Sequence, residues 1–358
     1  FLGMAETDST LIILGANLIN SIVIDHEQNI WCGTNGYGVV KFDGKTHQKR
    51  YFFYNHLDPQ YLNNVYNMFI DSSNRLWLGC FLDKKIPVYS IDNNALTFIE
   101  VEGIAGEEKN RYKTTSFYQD ESRRLWMGMV DYFGQEGGLY YLDQGDTTFI
   151  DYRHLADPVF KDQFADSYNA IVSIVGDPTS DKIIFGSLLS GVFTFHFGET
   201  PEAYYTQSPI IDPRIMSLYL STNKILWIGT NGYGVELSIP NSTDFHHIGS
   251  TKDSRFTVES IRAFAEDNHH YWVGGYYGMS KISKTFEEIE MVFGPSVYTI
   301  SSSLGNDNQL WLGSEGGGMF SFSKNDFSQS KTTIGLTHGY PWIKPNLSFI
   351  LWTIKFRH

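Results

Sequence analysis

The residues best suited to chemistry in this chain are tyrosines set beside short amides and acids in turns that repeat. Sugar rings present C–H faces that stack on aromatic side chains, and hydroxyl edges that need Asp, Asn, Glu or Arg. Asn35 with Tyr37, Asn231 with Tyr233, Asp131 with Tyr132, and Tyr276 with Tyr277 and Glu315 offer that combination. Glu136 lies in the same loop as Asp131, and Arg111 and Arg153 sit on long connections. Those arginines could meet an acidic sugar or simply be solvated. The expected chemistry is recognition of a polar ring.

Catalysis has less to build on. A retaining glycosidase needs two carboxyls about 5–5.5 Å apart, and no motif singles out two among the 40 Asp and Glu residues. His246-His247 and His269-His270 suggest metal or acid–base chemistry by type, but neither pair has zinc-site spacing. Alternation along a strand would send the first pair to opposite faces. Cys32 and Cys80 form no metal-ligand spacing and are expected to be buried free thiols. No catalytic residue, metal or cofactor is expected, and the reading is non-enzymatic.

These residues belong to a repeat. IWCGTNGYGV at 30–39 returns as LWLGC at 76–80, LWMGM at 125–129, LWIGTNGYGV at 226–235, YWVGG at 271–275 and LWLGS at 310–314. A degenerate seventh copy, IIFGS at 183–187, has Ile184 in the tryptophan's place. Successive copies lie 39 to 58 residues apart, the length of a four-stranded propeller blade. Each repeat carries four short runs rich in Ile, Val, Phe, Tyr and Trp, separated by turn residues. In the first they are SIVID, IWCGT, GVVKF and KRYFFY. That is strand composition, and the glycines of TNGYG would break a helix. Asp25, Asp71 and Asp120, each six residues before a tryptophan, are expected to hold the following hairpin. The tryptophan would wedge against the next blade and its glycine would allow close backbone approach.

The predicted fold is an all-β, seven-bladed β-propeller of four-stranded blades within 1–335. Its blades fall at about 20–54, 64–101, 114–152, 169–206, 214–248, 259–292 and 296–323. The run TLIIL at 10–14 is expected to complete the last blade and close the ring, which removes sheet edges. The loops between second and third strands should share one rim with the long connections between blades, and loops on a rigid scaffold are where function usually sits. Residues 336–358 leave the pattern: a docked strand, the start of a further domain, or a damaged end. Their apolar run is far short of the roughly 20 residues a membrane helix needs. A first residue of Phe with no basic-then-apolar leader reads as a removed signal peptide or a fragment.

Composition narrows the classes. The chain has 358 residues, 42% hydrophobic and 16% aromatic, with net charge −13 and no Lys/Arg cluster, so it lacks a nucleic-acid binder's basic footprint. The order I-x-x-D, a short turn, L-W-I-G-T and then a glycine turn resembles the two-component regulator propeller repeat. It is seen in IVIDHEQNIWCGTNGYGVVKF at 22–42 and SLYLSTNKILWIGTNGYGVEL at 217–237. That family builds the extracytoplasmic sensor regions of hybrid two-component systems in gut Bacteroides-like bacteria. The resemblance implies a periplasmic sensor that binds glycan-derived oligosaccharides and signals through a membrane-crossing histidine kinase. Its partners would be further domains of the same receptor, and the receptor would be a homodimer. The family's usual order is two propellers, a β-sandwich, a membrane helix and the kinase; with one propeller, this chain could at most recognise a ligand or partner. The alternatives are a protein-interaction or dimerisation scaffold, and a propeller glycosidase or lyase.

Overall fold

The computed structural model describes residues 18–46, 48–53, 62–81, 85–104, 112–131, 137–155, 170–204, 214–240, 245–249, 253–302 and 308–332. They form 28 strands and, apart from a single 3₁₀ turn at Tyr152–His154, no helix among the described residues. The first repeat is the meander Ile19–Ile24, Ile30–Thr34, Val39–Phe42 and Lys49–Phe52, hydrogen-bonded in chain order. Six more meanders follow, with first strands Asn67–Ile70, Tyr112–Gln119, Ile171–Asp177, Ile215–Leu220, Glu259–Glu266 and Val297–Ser302. Four strands per repeat is therefore the observed pattern. Repeats two and three are also joined edge to edge, where Ala95–Val101 pairs in parallel with Thr148–Asp151.

Second strands such as Ile30–Thr34 are buried along their length because both faces of the sheet meet a neighbour, whereas fourth strands such as Lys49–Phe52 are largely exposed. That is why the Trp-x-Gly runs read as unbroken apolar stretches. Seven apolar clusters result, each shared by two consecutive repeats. The remaining one joins the last repeat to the first, with Met319 and Trp311 against Ile19, Ile22 and Cys32. The first strands touch one another in chain order, and Val297–Ser302 touches Ile19–Ile24.

The motif residues do this work. Trp31, Trp77, Trp126, Trp227 and Trp272 are fully buried, and their rings meet the following repeat: Trp31 meets Tyr89, Trp77 meets Phe149, and Trp126 meets Phe195. The Asp at the end of the first strand takes up the indole N–H. Trp31, Trp77 and Trp126 donate to Asp25, Asp71 and Asp120 at 2.8–2.9 Å. Asp25 also accepts the hairpin amides of Glu27 and Asn29. One carboxylate thus closes the turn and satisfies the buried indole. The sixth repeat keeps this latch with a shorter turn, Trp272 donating to Asp267 at 2.9 Å.

The glycine after the tryptophan is a seat for the next repeat. A Cβ on Gly128, Gly186, Gly229 or Gly274 would come within 3 Å of Ile171, Ile215, Ile261 or Val297, the β-branched residue of the following first strand. On Gly313 it would meet Ile19 of the first repeat. The outer place of the seventh meander is filled by Gln329–Thr332, which pairs with Gly318–Ser323. Residues 10–14, expected to complete this blade and close the ring, lie outside the described residues, as do 336–358. The C-terminal segment simply continues the meander for one more strand.

Cys32 and Cys80 are buried free thiols as expected, and burial raises the pKa of both, Cys80 to about 12. Neither is a thiolate at neutral pH.

Two outcomes follow for stability. In repeat five Ser221 stands where repeats one to three have Asp, and the buried Trp227 indole N–H has no acceptor among the described residues. Ser221→Asp should raise the unfolding free energy by about 1 kcal/mol, the net worth of a hydrogen bond, in urea titrations. Trp126→Ala should lower it by about 3–5 kcal/mol. In the sixth repeat burial opposes ionisation of Asp267, but the His269 and His270 amides, the Trp272 indole and Lys324 outweigh it and lower its pKa from 3.8 to about 2. The unfolded chain is thus protonated first on acidification. The latch contributes fully above about pH 4 and is lost as pH falls towards 2. Asp267→Asn should flatten the melting temperature against pH in that window, read by circular dichroism.

Candidate functional site

The rim expected from sequence is present. In repeat one the turn between second and third strands is tied to the connection into repeat two: Gly36 and Gly38 both donate to the Asn63 carbonyl at 2.8 Å, and Asn35 bridges Asn64. In repeat five the Asn231 amide donates to the Arg214 carbonyl at 3.1 Å. These contacts put the turn glycines where they are required. Gly38 and Gly234 have φ of +63° and +81°, and a Cβ on either would strike the neighbouring strand's carbonyl.

The candidate residues on this rim do not share one fate. Tyr37 is 3% exposed, with its ring 6.1 Å from Tyr51. It is blade covering rather than a stacking platform, because the Asn63 contact folds its turn back onto the sheet. Tyr233, in the identical hexapeptide, is 42% exposed. Asn35 and Asn231 are half-buried, and the Asn231 amide oxygen accepts from Ser260 at 3.0 Å. Asp131 is also a correction: it ends the strand Leu125–Asp131 opposite Tyr112 and is buried, not displayed on a loop. Tyr132, Glu136 and Arg111 lie outside the described residues. Arg153 is engaged in a two-point pair with Asp151. Tyr277, at φ +67°, is the most exposed large apolar residue among the described residues at 63%, and Glu315 is exposed.

Tyr276 leads to residues that sequence reasoning missed. Its ring lies 4.9 Å from the Arg262 guanidinium, which lies equally close to Tyr298. Arg262 Nη2 donates to the Tyr276 hydroxyl at 3.3 Å, and the Tyr298 hydroxyl donates to the same oxygen at 3.4 Å. Burial, and then the bond to Tyr276, push the Tyr298 phenol well above its ordinary pKa, so it stays a neutral donor. Arg262 Nε is buried without a partner.

Arg262 and Tyr298 reach this position through bulges. Where the first strand passes the Trp-x-Gly glycine, its register skips Asn20, Thr115, Val172, Met216 and Tyr298, and a wider irregularity contains Arg262. In repeat two Tyr66 holds the matching place, its amide donating to Gly79 at 2.7 Å. A bulge re-aims the extra side chain out of the pleat. All seven are half-buried, flanked by buried core residues. This set of inward positions varies freely in type while the core around it does not. Aligning the repeats on the motif glycine would have found it, with Arg262 the sole charge.

A second polar group lies elsewhere. His247 Nδ1 is 2.7 Å from Glu236 Oε1, and His246 and His247 both line a cleft of about 450 Å³ between repeats five and six. His246 is exposed and stands opposite Leu237, whereas His247 stands opposite Glu236, so the two alternate along the strand as expected. The cleft's lining has no hydroxyl or thiol to act as nucleophile. No cluster of three metal-ligating side chains occurs among the described residues. None of their helices is long and apolar enough to cross a membrane.

No protein-family profile and no curated protein matches the sequence. Solved structures do. The extracellular domain of a proposed hybrid two-component system from B. thetaiotaomicron aligns over 86% of this chain at TM-score 0.65 and 18% identity. A second such domain from that bacterium aligns over 88% at TM-score 0.53 and 13% identity. This chain spans only 39% and 49% of those two proteins. Virginiamycin B lyase from Staphylococcus aureus aligns over 84% of this chain and 92% of its own length, at TM-score 0.58 and 10% identity. The chain therefore has a propeller-like all-β fold, one found in the extracellular domains of proposed two-component systems and in a lyase.

Proposed function

We propose that the chain is a closed seven-bladed propeller that recognises a glycan-derived oligosaccharide, without cleaving it, as the extracytoplasmic part of a two-component receptor. The observation that carries this reading is the cluster around Arg262. Two tyrosine rings bracket a cation whose donors are only partly used, on inward positions released from core packing. Tyr233, Tyr277 and Glu315 on the rim add stacking faces and an acceptor. Such a mixture of flat rings and spare hydrogen-bonding groups suits a sugar. Likeness of fold to the extracellular domains supports the periplasmic setting. The short share of those proteins that this chain spans supports further receptor domains as partners, in a dimeric receptor. The lyase has the same kind of fold, so fold does not separate sensing from catalysis.

The test is a thermal-shift screen of the whole chain against neutral and acidic oligosaccharides, with each well then analysed for cleavage products. A rise in melting temperature without products is expected, since a ligand held only by the folded state stabilises it, by about 2.7 kcal/mol at a hundred times its Kd. Products would make the protein an enzyme. No shift with any sugar would leave a protein-interaction scaffold.

A further inference from the structure

We propose that Asn231–Gly232 is a self-modifying site, at which the chain converts Asn231 to aspartate and isoaspartate, while the same dipeptide at Asn35–Gly36 is held inert by its surroundings. This does not rest on the recognition role proposed above.

An asparagine followed by glycine can react with its own backbone, because a glycine without Cβ leaves the attacking nitrogen unshielded. The Gly232 amide gives its proton to solvent base, and its nitrogen bonds to Cγ of Asn231. The bond from Cγ to the side-chain nitrogen breaks, and that nitrogen takes up a proton and leaves as ammonia. Water then opens the resulting cyclic imide at either carbonyl, giving aspartate or isoaspartate. Water is the only co-reactant, and nothing is oxidised or reduced.

The hexapeptide TNGYGV is identical at 34–39 and 230–235, so local sequence cannot separate the two sites and only their contacts can. Both turns are pinned alike at the base: Thr34 and Thr230 donate their N–H to Gly38 and Gly234, and Asn35 and Asn231 donate theirs to Leu18 and Arg214. The difference lies at the nucleophile. In repeat one the Gly36 N–H is occupied by the Asn63 carbonyl at 2.8 Å, which Gly38 shares, and Tyr37 donates to Thr34 Oγ1 at 3.0 Å. Asn35 bridges Asn64, and Tyr37 is buried. That turn must shed these bonds before it can rearrange. In repeat five the Gly232 N–H has no acceptor among the described residues. Gly232 and Tyr233 are exposed, and a Cβ on Gly232 would meet nothing within 4 Å.

The electrophile supplies a second, independent observation. Ser260 is buried at φ +45°, and its hydroxyl donates to the Asn231 side-chain oxygen at 3.0 Å. Negative charge gathers on that oxygen as the nitrogen attacks, so the hydroxyl polarises the amide and stabilises the intermediate as an oxyanion-hole donor does. The Asn35 side chain has no such donor among the described residues.

The experiment incubates the whole chain at mildly alkaline pH, folded and unfolded in urea. Digested peptides are then followed by mass spectrometry, after chromatography that separates the aspartate and isoaspartate forms. In urea the identical hexapeptides should convert at equal rates; unequal rates there would take the difference out of the fold and overturn the proposal. In the folded chain Asn231 should convert about tenfold or more faster than Asn35, because the turn of repeat one must first open. Equal folded rates, whether both fast or both negligible, would overturn it. Ser260→Ala should slow Asn231 about fivefold, the worth of one hydrogen bond. Asn35 serves as the control for folding in this variant, since unfolding would raise it to its rate in urea. An unchanged or faster Asn231 beside a slow Asn35 would overturn the part given to Ser260.

Discussion

A four-stranded sheet that is apolar on both faces cannot bury itself, and the architecture of this protein is the answer to that constraint. Each repeat leaves its second strand and its tryptophan to be covered by the next, so stability resides between repeats rather than within them. The contact is set by shape. The motif glycine leaves out a Cβ, and the β-branched residue of the next first strand occupies that space. Because Gly313 receives Ile19 in the same way, the seventh repeat is not left with an uncovered face.

The Asp–Trp latch is the polar counterpart of that packing. A buried indole must place its N–H, and a tight hairpin must place its amides; one carboxylate at the strand end serves both. Where the latch is missing the neighbourhood compensates with rings. Ile184 in repeat four has no N–H to satisfy, and Trp227 in repeat five is instead packed 4.4 Å from Tyr271 and against Phe264 and Phe286. The repeats are thus equivalent in packing while differing in polar detail.

Freedom for function arises where the packing rule stops. The bulge on each first strand turns one residue away from the interfaces, and those positions carry Asn, Tyr, Thr, Val, Met, Arg and Tyr in turn. A frame of core contacts beside a set of unconstrained positions is a good base for a binding site, because the scaffold's stability does not depend on what those positions hold.

From the sequence by itself came the all-β class, the seven repeats, the four strands of each and the structural role of Trp and Gly. Those features repeat, and short-range alternation and turn chemistry record them. The Asp positions were legible as turn formers; that the same carboxylates receive the indole became clear only in three dimensions, as did Asp267, whose turn is one residue shorter. The candidate site was legible only in part. Asn231, Tyr233, Tyr276, Tyr277 and Glu315 do stand on the rim or beside the inward cluster, but identical hexapeptides gave a buried Tyr37 and an exposed Tyr233. A linker 26 residues from Tyr37 made that difference, through the Asn63 carbonyl. Arg262 and Tyr298 carry no motif at all. They come together because the first strands of the sixth and seventh repeats lie side by side, and only the tertiary structure sets two residues 36 positions apart within contact of one another.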